Sequence, residues 1–250
     1  MSSEESDHEA DFSKPHLTRE NIEEITQLRP INLEYYYQAF VHKSIQKYSR
    51  RSKNSMNYTK QSYERYEYLG DSVLNLIIAN YLFYKYPDKN EGFLTRIRTK
   101  LVNGKTLALL AKEINLGQYI LMSTNVEKIN GRKNDRILED IFESLICAIY
   151  LDLGFDKAQK FVINLIEKTI NFNTLEEDDN FKDILLRFCQ NKMNTTPTYI
   201  TTDIYGPPHK REFKVVCCIQ DVQYKYGIGK CKKTAEQISA KETLKHFGKI

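Results

Sequence analysis

Two short acidic clusters stand out in the chain. The first is Glu64, Glu67 and Asp71; the second is Asp140 and Glu143. Spacings of three, four and seven residues put the members of each cluster on one face of a helix. The neighbouring positions are largely apolar, so the acidic faces point toward protein interior or a cleft. Crowded, dehydrated carboxylates repel one another and need a cation to be tolerated. An all-oxygen donor set without His or Cys suits Mg²⁺ or Mn²⁺. Such sites serve phosphoryl chemistry.

Acids at helical spacing usually form a solvated face. The surroundings argue against that here. Leu69-Gly-Asp-Ser72 runs straight into Val73-Leu-Asn-Leu-Ile-Ile-Ala-Asn-Tyr-Leu-Phe83, which is too apolar for a surface helix and predicts a core helix. Residues 17–172 predict helix after helix, punctuated by Gly92, Gly104, Gly117, Gly131 and Gly154 and broken at Pro87. Residues 1–16 are polar and acidic and predict a disordered tail. The polar stretch 173–180, with Glu176-Glu-Asp-Asp179, predicts a linker. From Phe181 the pattern changes to helix, three strands (198–204, 212–219, 222–229) and a closing helix. The expected fold is therefore an all-α domain followed by a small α+β domain of α-β-β-β-α order at 181–250.

The charge is regional. The whole chain carries a formal +4, yet Tyr205–Ile250 holds ten Lys and Arg against four Asp and Glu. Lys230, Lys232 and Lys233 fall at the start of the closing helix, where free backbone N–H groups reinforce their charge and form a phosphate clamp. Five Cys without paired spacing read as free thiols of a reducing compartment. No apolar run is long enough to span a membrane. With an acidic N-terminus unlike a secretion signal, this predicts an intracellular protein, cytoplasmic or nuclear.

The run Glu64-Arg-Tyr-Glu-Tyr-Leu-Gly-Asp-Ser-Val-Leu74 resembles the signature of the ribonuclease III family. Ala39-Phe-Val-His-Lys-Ser44, Tyr86-Pro-Asp-Lys-Asn-Glu-Gly92, Leu94-Thr-Arg-Ile-Arg-Thr-Lys-Leu-Val102, Asn103-Gly-Lys-Thr-Leu-Ala108 and Ile137-Leu-Glu-Asp-Ile-Phe-Glu-Ser-Leu-Ile146 resemble its other segments, in the same order. Pro197-Thr-Tyr199, Gly206-Pro-Pro-His-Lys-Arg-Glu-Phe213 and Gly227-Ile-Gly-Lys-Cys-Lys-Lys-Thr-Ala-Glu-Gln237 resemble a double-stranded-RNA-binding domain.

The resemblance implies a ribonuclease III catalytic domain at 17–172. It implies an endoribonuclease that hydrolyses double-stranded RNA with Mg²⁺, for which Mn²⁺ can substitute. The product ends would be 5′-phosphates and 3′-hydroxyls with short 3′ overhangs. It assigns the metal site to Glu67, Asp71, Asp140 and Glu143, with Glu64 and Glu91 as further acids near it. It assigns RNA contacts to Gln190, His209, Lys210, Lys230, Lys232 and Lys233. A single catalytic domain per chain implies a homodimer, each subunit cutting one strand. His42 is expected to be structural. The stretch 45–63 is a basic insertion relative to the family, with Lys47, Arg50, Arg51, Lys53 and Lys60 and no acid.

Overall fold

A computed structural model describes residues 17–45, 61–176 and 180–250. The predicted acidic tail, nearly all of the basic insertion and the middle of the predicted linker lie outside these residues. Two compact units divide between Leu175 and Glu176.

The described part of the first unit is helical: α1 (Arg19–Thr26), α2 (Leu33–Ala39), α3 (Glu64–Lys85), α4 (Glu91–Leu101), α5 (Gly104–Glu113), α6 (Thr124–Lys128), α7 (Asp135–Leu153), α8 (Phe155–Thr169) and α9 (Phe172–Glu176). Side-chain caps start five of them. Thr18, Asn32, Asn90, Asn103 and Asn134 each accept a bond from an N–H of the first turn, satisfying a donor that the helix itself cannot. The segment after α2 is tied across the fold by His42 N–H to Leu121 O (2.9 Å) and Leu121 N–H to Phe40 O (2.9 Å).

α3 and α7 form the centre. α7 is buried from Ile141 through Ile149, and α3 packs Val73, Leu74, Ile77, Ile78 and Leu82 into the same core. Their crossing is set at Gly70. A Cβ there would stand 1.9 Å from the carbonyl oxygen of Glu143 and 2.6 Å from its carbonyl carbon. Backbone meets backbone, so no side-chain rotation could relieve the clash. The far end of α7 is fastened by Asp152, which accepts from Ile31 N–H (2.8 Å), Asn32 N–H (2.7 Å) and Tyr36 Oη–H (3.1 Å).

The second unit is α10 (Phe181–Met193), β1 (Thr198–Tyr205), β2 (Glu212–Ile219), β3 (Val222–Gly229) and α11 (Lys232–His246). The strands form one antiparallel sheet in order β1-β2-β3. Both helices cover one face, where Leu185, Cys189, Cys217, Ile219, Ala240 and Leu244 make the core. Gly227 and Gly229 let α11 lie directly on β3: a Cβ on Gly227 would stand 2.2 Å from Ala235 O and 2.4 Å from Ser239 N. Their first duty is packing, and the phosphate-clamp reading must rest on the lysines alone.

Gly70→Ala should force α3 and α7 apart. Overpacking against fixed backbone costs about 3 kcal/mol, which lowers Tm by roughly 6–12 °C in a chain of this size. Thermal unfolding of the full chain checks this. A Tm equal to the parent's would contradict the Gly70 contact.

Candidate active site

The Gly70–Glu143 crossing brings the two acidic clusters together. α3 contributes Glu64, Glu67 and Asp71 from its first two turns, and α7 contributes Asp140 and Glu143. Glu143 is 8% exposed, the one buried carboxylate among the described residues. It is also pushed furthest: burial, then the charges of Asp71, Glu139, Glu67 and Asp140, raise its carboxyl to about 8. Burial and the charges of Asp140 and Glu64 raise Glu67 to about 7. Burial raises Asp140 too, against the opposing pull of the Tyr63 hydroxyl, which donates to its Oδ2 at 2.9 Å. Tyr63 is buried at the start of α3 and fixes Asp140 from the opposite helix.

Glu64 stands at the edge of the group, where Ser62 Oγ–H (2.9 Å) and Lys43 Nζ (3.4 Å) bond it. These partners hold its carboxyl below the usual range, with the Ser62 bond the largest cause. Asp71 is exposed and accepts from Asn75 Nδ2 of its own helix (2.8 Å). The carboxylates of Glu67 and Glu143 have no hydrogen bond or ion pair among the described residues. Asp152, in contrast, takes three hydrogen bonds and serves as a structural fastener.

Glu91 is exposed in the first turn of α4, on a different helix from these acids, and accepts from Thr95 Oγ1 (3.1 Å). It is not the helix cap, because Asn90 caps α4 through Phe93 N–H (3.0 Å). Glu139 does belong to the group: it is half-buried and feels the charges of Asp140 and Asp71. It lies four residues before Glu143, a helical spacing that could have found it. His42 is buried, and its Nδ1 accepts the backbone N–H of Ser44 (3.1 Å) while facing Ser44 Oγ (2.9 Å). Burial, and then Lys43, depress its pKa. It is a neutral, bonded structural histidine.

The donor set fits a hard divalent cation: all carboxylate oxygen, mutually repelling, partly dehydrated. Among the described residues no three His, Cys, Asp or Glu side chains converge closely enough to hold a metal ion by themselves. Mg²⁺ needs fewer, since it keeps several waters and takes one or two carboxylates plus phosphate oxygens.

In the second unit Gln190 is exposed on α10. His209 and Lys210 are exposed in the short 3₁₀ turn Pro208–Lys210. Lys230, Lys232 and Lys233 are exposed around the start of α11, whose first turn holds no acid. Lys232 and Lys233 thus flank the free N–H groups of that helix.

Comparison with known proteins agrees with this arrangement. Residues 32–170 match a ribonuclease-III-like family model, and residues 181–246 match the double-stranded RNA binding motif. Ribonuclease 3 of Aliarcobacter butzleri is 41% identical over 181 residues, 71% of this chain and 80% of that protein. Ribonuclease 3 of Campylobacter curvus is 33% identical over 92% of this chain and 98% of its own length. Among solved structures, the nuclease domain of Campylobacter jejuni ribonuclease III, described with structural flexibility in a region involved in dimer formation, matches with a TM-score of 0.53 and 35% identity. That match covers 61% of this chain and 99% of that domain.

The raised Glu143 carboxyl makes a stability prediction. The unfolded chain ionises it near 4.5, while the folded chain holds the proton up to about 8. Folding stability therefore falls as pH rises across that window. In EDTA, Glu143→Gln should match the parent at pH 4.5. At pH 8 it should be more stable by about 4 kcal/mol, or roughly 8–16 °C in Tm. Thermal melts at the two pH values decide, and a destabilised mutant at pH 8 would mean Glu143 is not under charge strain. With its acidic helix crossing, its α-β-β-β-α module and these matches, the chain belongs to the ribonuclease III family of double-strand-specific endoribonucleases.

Proposed function

We propose that this chain is a divalent-metal-dependent endoribonuclease that cuts double-stranded RNA into fragments with 5′-phosphate and 3′-hydroxyl ends and short 3′ overhangs. The observation that carries the reading is Glu143: a buried carboxylate without a partner, crowded by Glu67, Asp71 and Asp140, in a chain of this family. Glu67, Asp71, Asp140 and Glu143 would hold Mg²⁺, with Mn²⁺ as a substitute. The bound ion would supply an activated water and neutralise charge on the phosphate. The chain's own groups prepare the place. Tyr63 holds the Asp140 carboxylate in orientation. Lys43 and Ser62 keep Glu64 ionised at the flank. Glu91, exposed at the start of α4, would be a further acid near this site. Neutral His42, bonded through Nδ1, is not needed as a base.

The second unit would supply affinity. A-form RNA is read mainly through backbone and shape. Lys230, Lys232 and Lys233 would contact phosphates at the start of α11, while Gln190, His209 and Lys210 would contact the neighbouring groove. The protein would act as a homodimer, one cut per subunit. Two features support this: the Campylobacter jejuni nuclease domain has a region involved in dimer formation, and Tyr68, Leu76 and Phe83 are large, exposed and on one side of α3. Among the described residues no helix is long and apolar enough to cross a membrane.

Glu143→Gln should lower cleavage of a long RNA duplex in Mg²⁺ by more than roughly 100-fold, the upper range for losing even an outer-shell partner of a metal. Duplex binding measured in Ca²⁺ should be retained. Undiminished cutting would remove Glu143 from the site. The lysines make a separate prediction. Replacing Lys232 and Lys233 with Ala should weaken duplex binding for all sequences alike. The log–log salt slope should become shallower by roughly 1.8 if each neutralises one phosphate, taking duplex RNA to behave as duplex DNA does. Binding isotherms at several salt concentrations decide. An unchanged slope, or an altered sequence preference, would make these lysines ordinary solvated surface.

A further inference from the structure

Glu139 has no part in the four-carboxylate set, yet the fold makes specific room for it. It precedes Asp140 on α7 and shares a face with Glu143, four residues on. Its charge acts on Glu143; burial and the charge of Asp140, and more weakly Asp71, act on it against the opposing pull of Arg136. Its carboxylate lies over Gly104, the first residue of α5. A Cβ on Gly104 would stand 2.3 Å from Glu139 Oε2 and 2.7 Å from Oε1. The bare α-carbon is thus the seat of the carboxylate. Asn103 already caps α5 through Thr106 N–H (3.0 Å), so Glu139 is not the cap. It has no hydrogen bond or ion pair of its own among the described residues. A half-buried carboxylate placed beside three others, without a bonding partner, adds repulsion that a purely structural residue would avoid. The second sign that this charge faces a ligand is Glu143 itself, more than nine-tenths buried and unpartnered in the same group.

We propose that Glu139 is an additional acidic residue of the cation site, seated by Gly104, whose charge raises the affinity of the Glu67–Asp71–Asp140–Glu143 group for divalent metal. This rests on the reading of that group as a metal site. Glu139 is a positioning residue: it strengthens the hold on the cation through its field and touches no reacting atom. A larger residue at the first position of α5 would shift the carboxylate from this place. The effect belongs to metal binding, so Glu139 should govern how much Mg²⁺ is needed and leave the rate at saturating Mg²⁺ nearly unchanged.

The test is Mn²⁺ binding to the full-length, RNA-free protein, followed by the EPR signal of free Mn²⁺. Glu139→Gln keeps shape and removes the charge, and it should weaken Mn²⁺ binding roughly tenfold, in the range seen for residues just outside a metal's ligands. Gly104→Ala, which keeps the charge but moves it, should weaken binding in the same direction. The rise in Tm on adding Mn²⁺ should shrink in both. In cleavage assays the half-saturating Mg²⁺ concentration should rise by a similar factor, with the maximal rate within about twofold of the parent's. If Glu139→Gln binds Mn²⁺ as the parent does while Glu143→Gln loses binding, the role of Glu139 is overturned and the metal site stands. If Glu143→Gln also binds as the parent does, the metal-site reading falls and this inference falls with it.

Discussion

The contact between Gly70 and the backbone of Glu143 is the constraint on which the first unit depends. Two apolar helices of 22 and 19 residues cross at the centre of the core. They carry their acids on the faces that meet. Only a residue without a side chain lets the backbones approach this closely. The same contact that packs the core therefore presses Glu67 and Asp71 toward Asp140 and Glu143. Packing energy from the large apolar faces offsets the electrostatic cost, since burial of each large side chain contributes about 1.5–3 kcal/mol.

Two buried or half-buried groups of carboxylates show how differently such charges can be treated. Asp152 ends α7 with three hydrogen bonds and locks the α1–α2 connection in place. Nine residues earlier in the same helix, the Glu143 carboxylate is buried with none and is pushed up to about 8. A carboxylate that merely builds structure is satisfied by donors. One that is left unsatisfied among like charges is poised for a cation, and unsatisfied groups of this kind gather at functional sites. Tyr63 and Glu64 show intermediate treatment: each lies in a defined bond at the margin, which fixes the orientation of the group without neutralising it.

Much of this was legible in the chain. The apolar runs and the glycines that punctuate them announced the helices, and the change of pattern after Phe181 announced the three strands of the second unit. The acid spacing anticipated which residues of α3 and α7 face one another. Two features were not legible, each because it depends on tertiary contact. Spacing puts Glu139 on the face of Glu143, but it does not say that this acid is seated against a neighbouring helix; the contact with Gly104 shows that. Gly227 and Gly229 stand just before the lysine run, and only the structure shows that α11 lying on β3 requires them for packing. The basic insertion, with Lys47, Arg50, Arg51, Lys53 and Lys60, lies outside the described residues apart from its margins.

The central claim is that the α3–α7 crossing builds a divalent-cation site. Anomalous diffraction from crystals of the full chain grown with Mn²⁺ tests it most directly, because it places the ion without reference to activity. The account predicts a manganese peak within coordination distance of carboxylate oxygens from both helices, Glu67 or Asp71 on one side and Asp140 or Glu143 on the other. A peak bound elsewhere on the protein, with these four carboxylates uncoordinated, would contradict it.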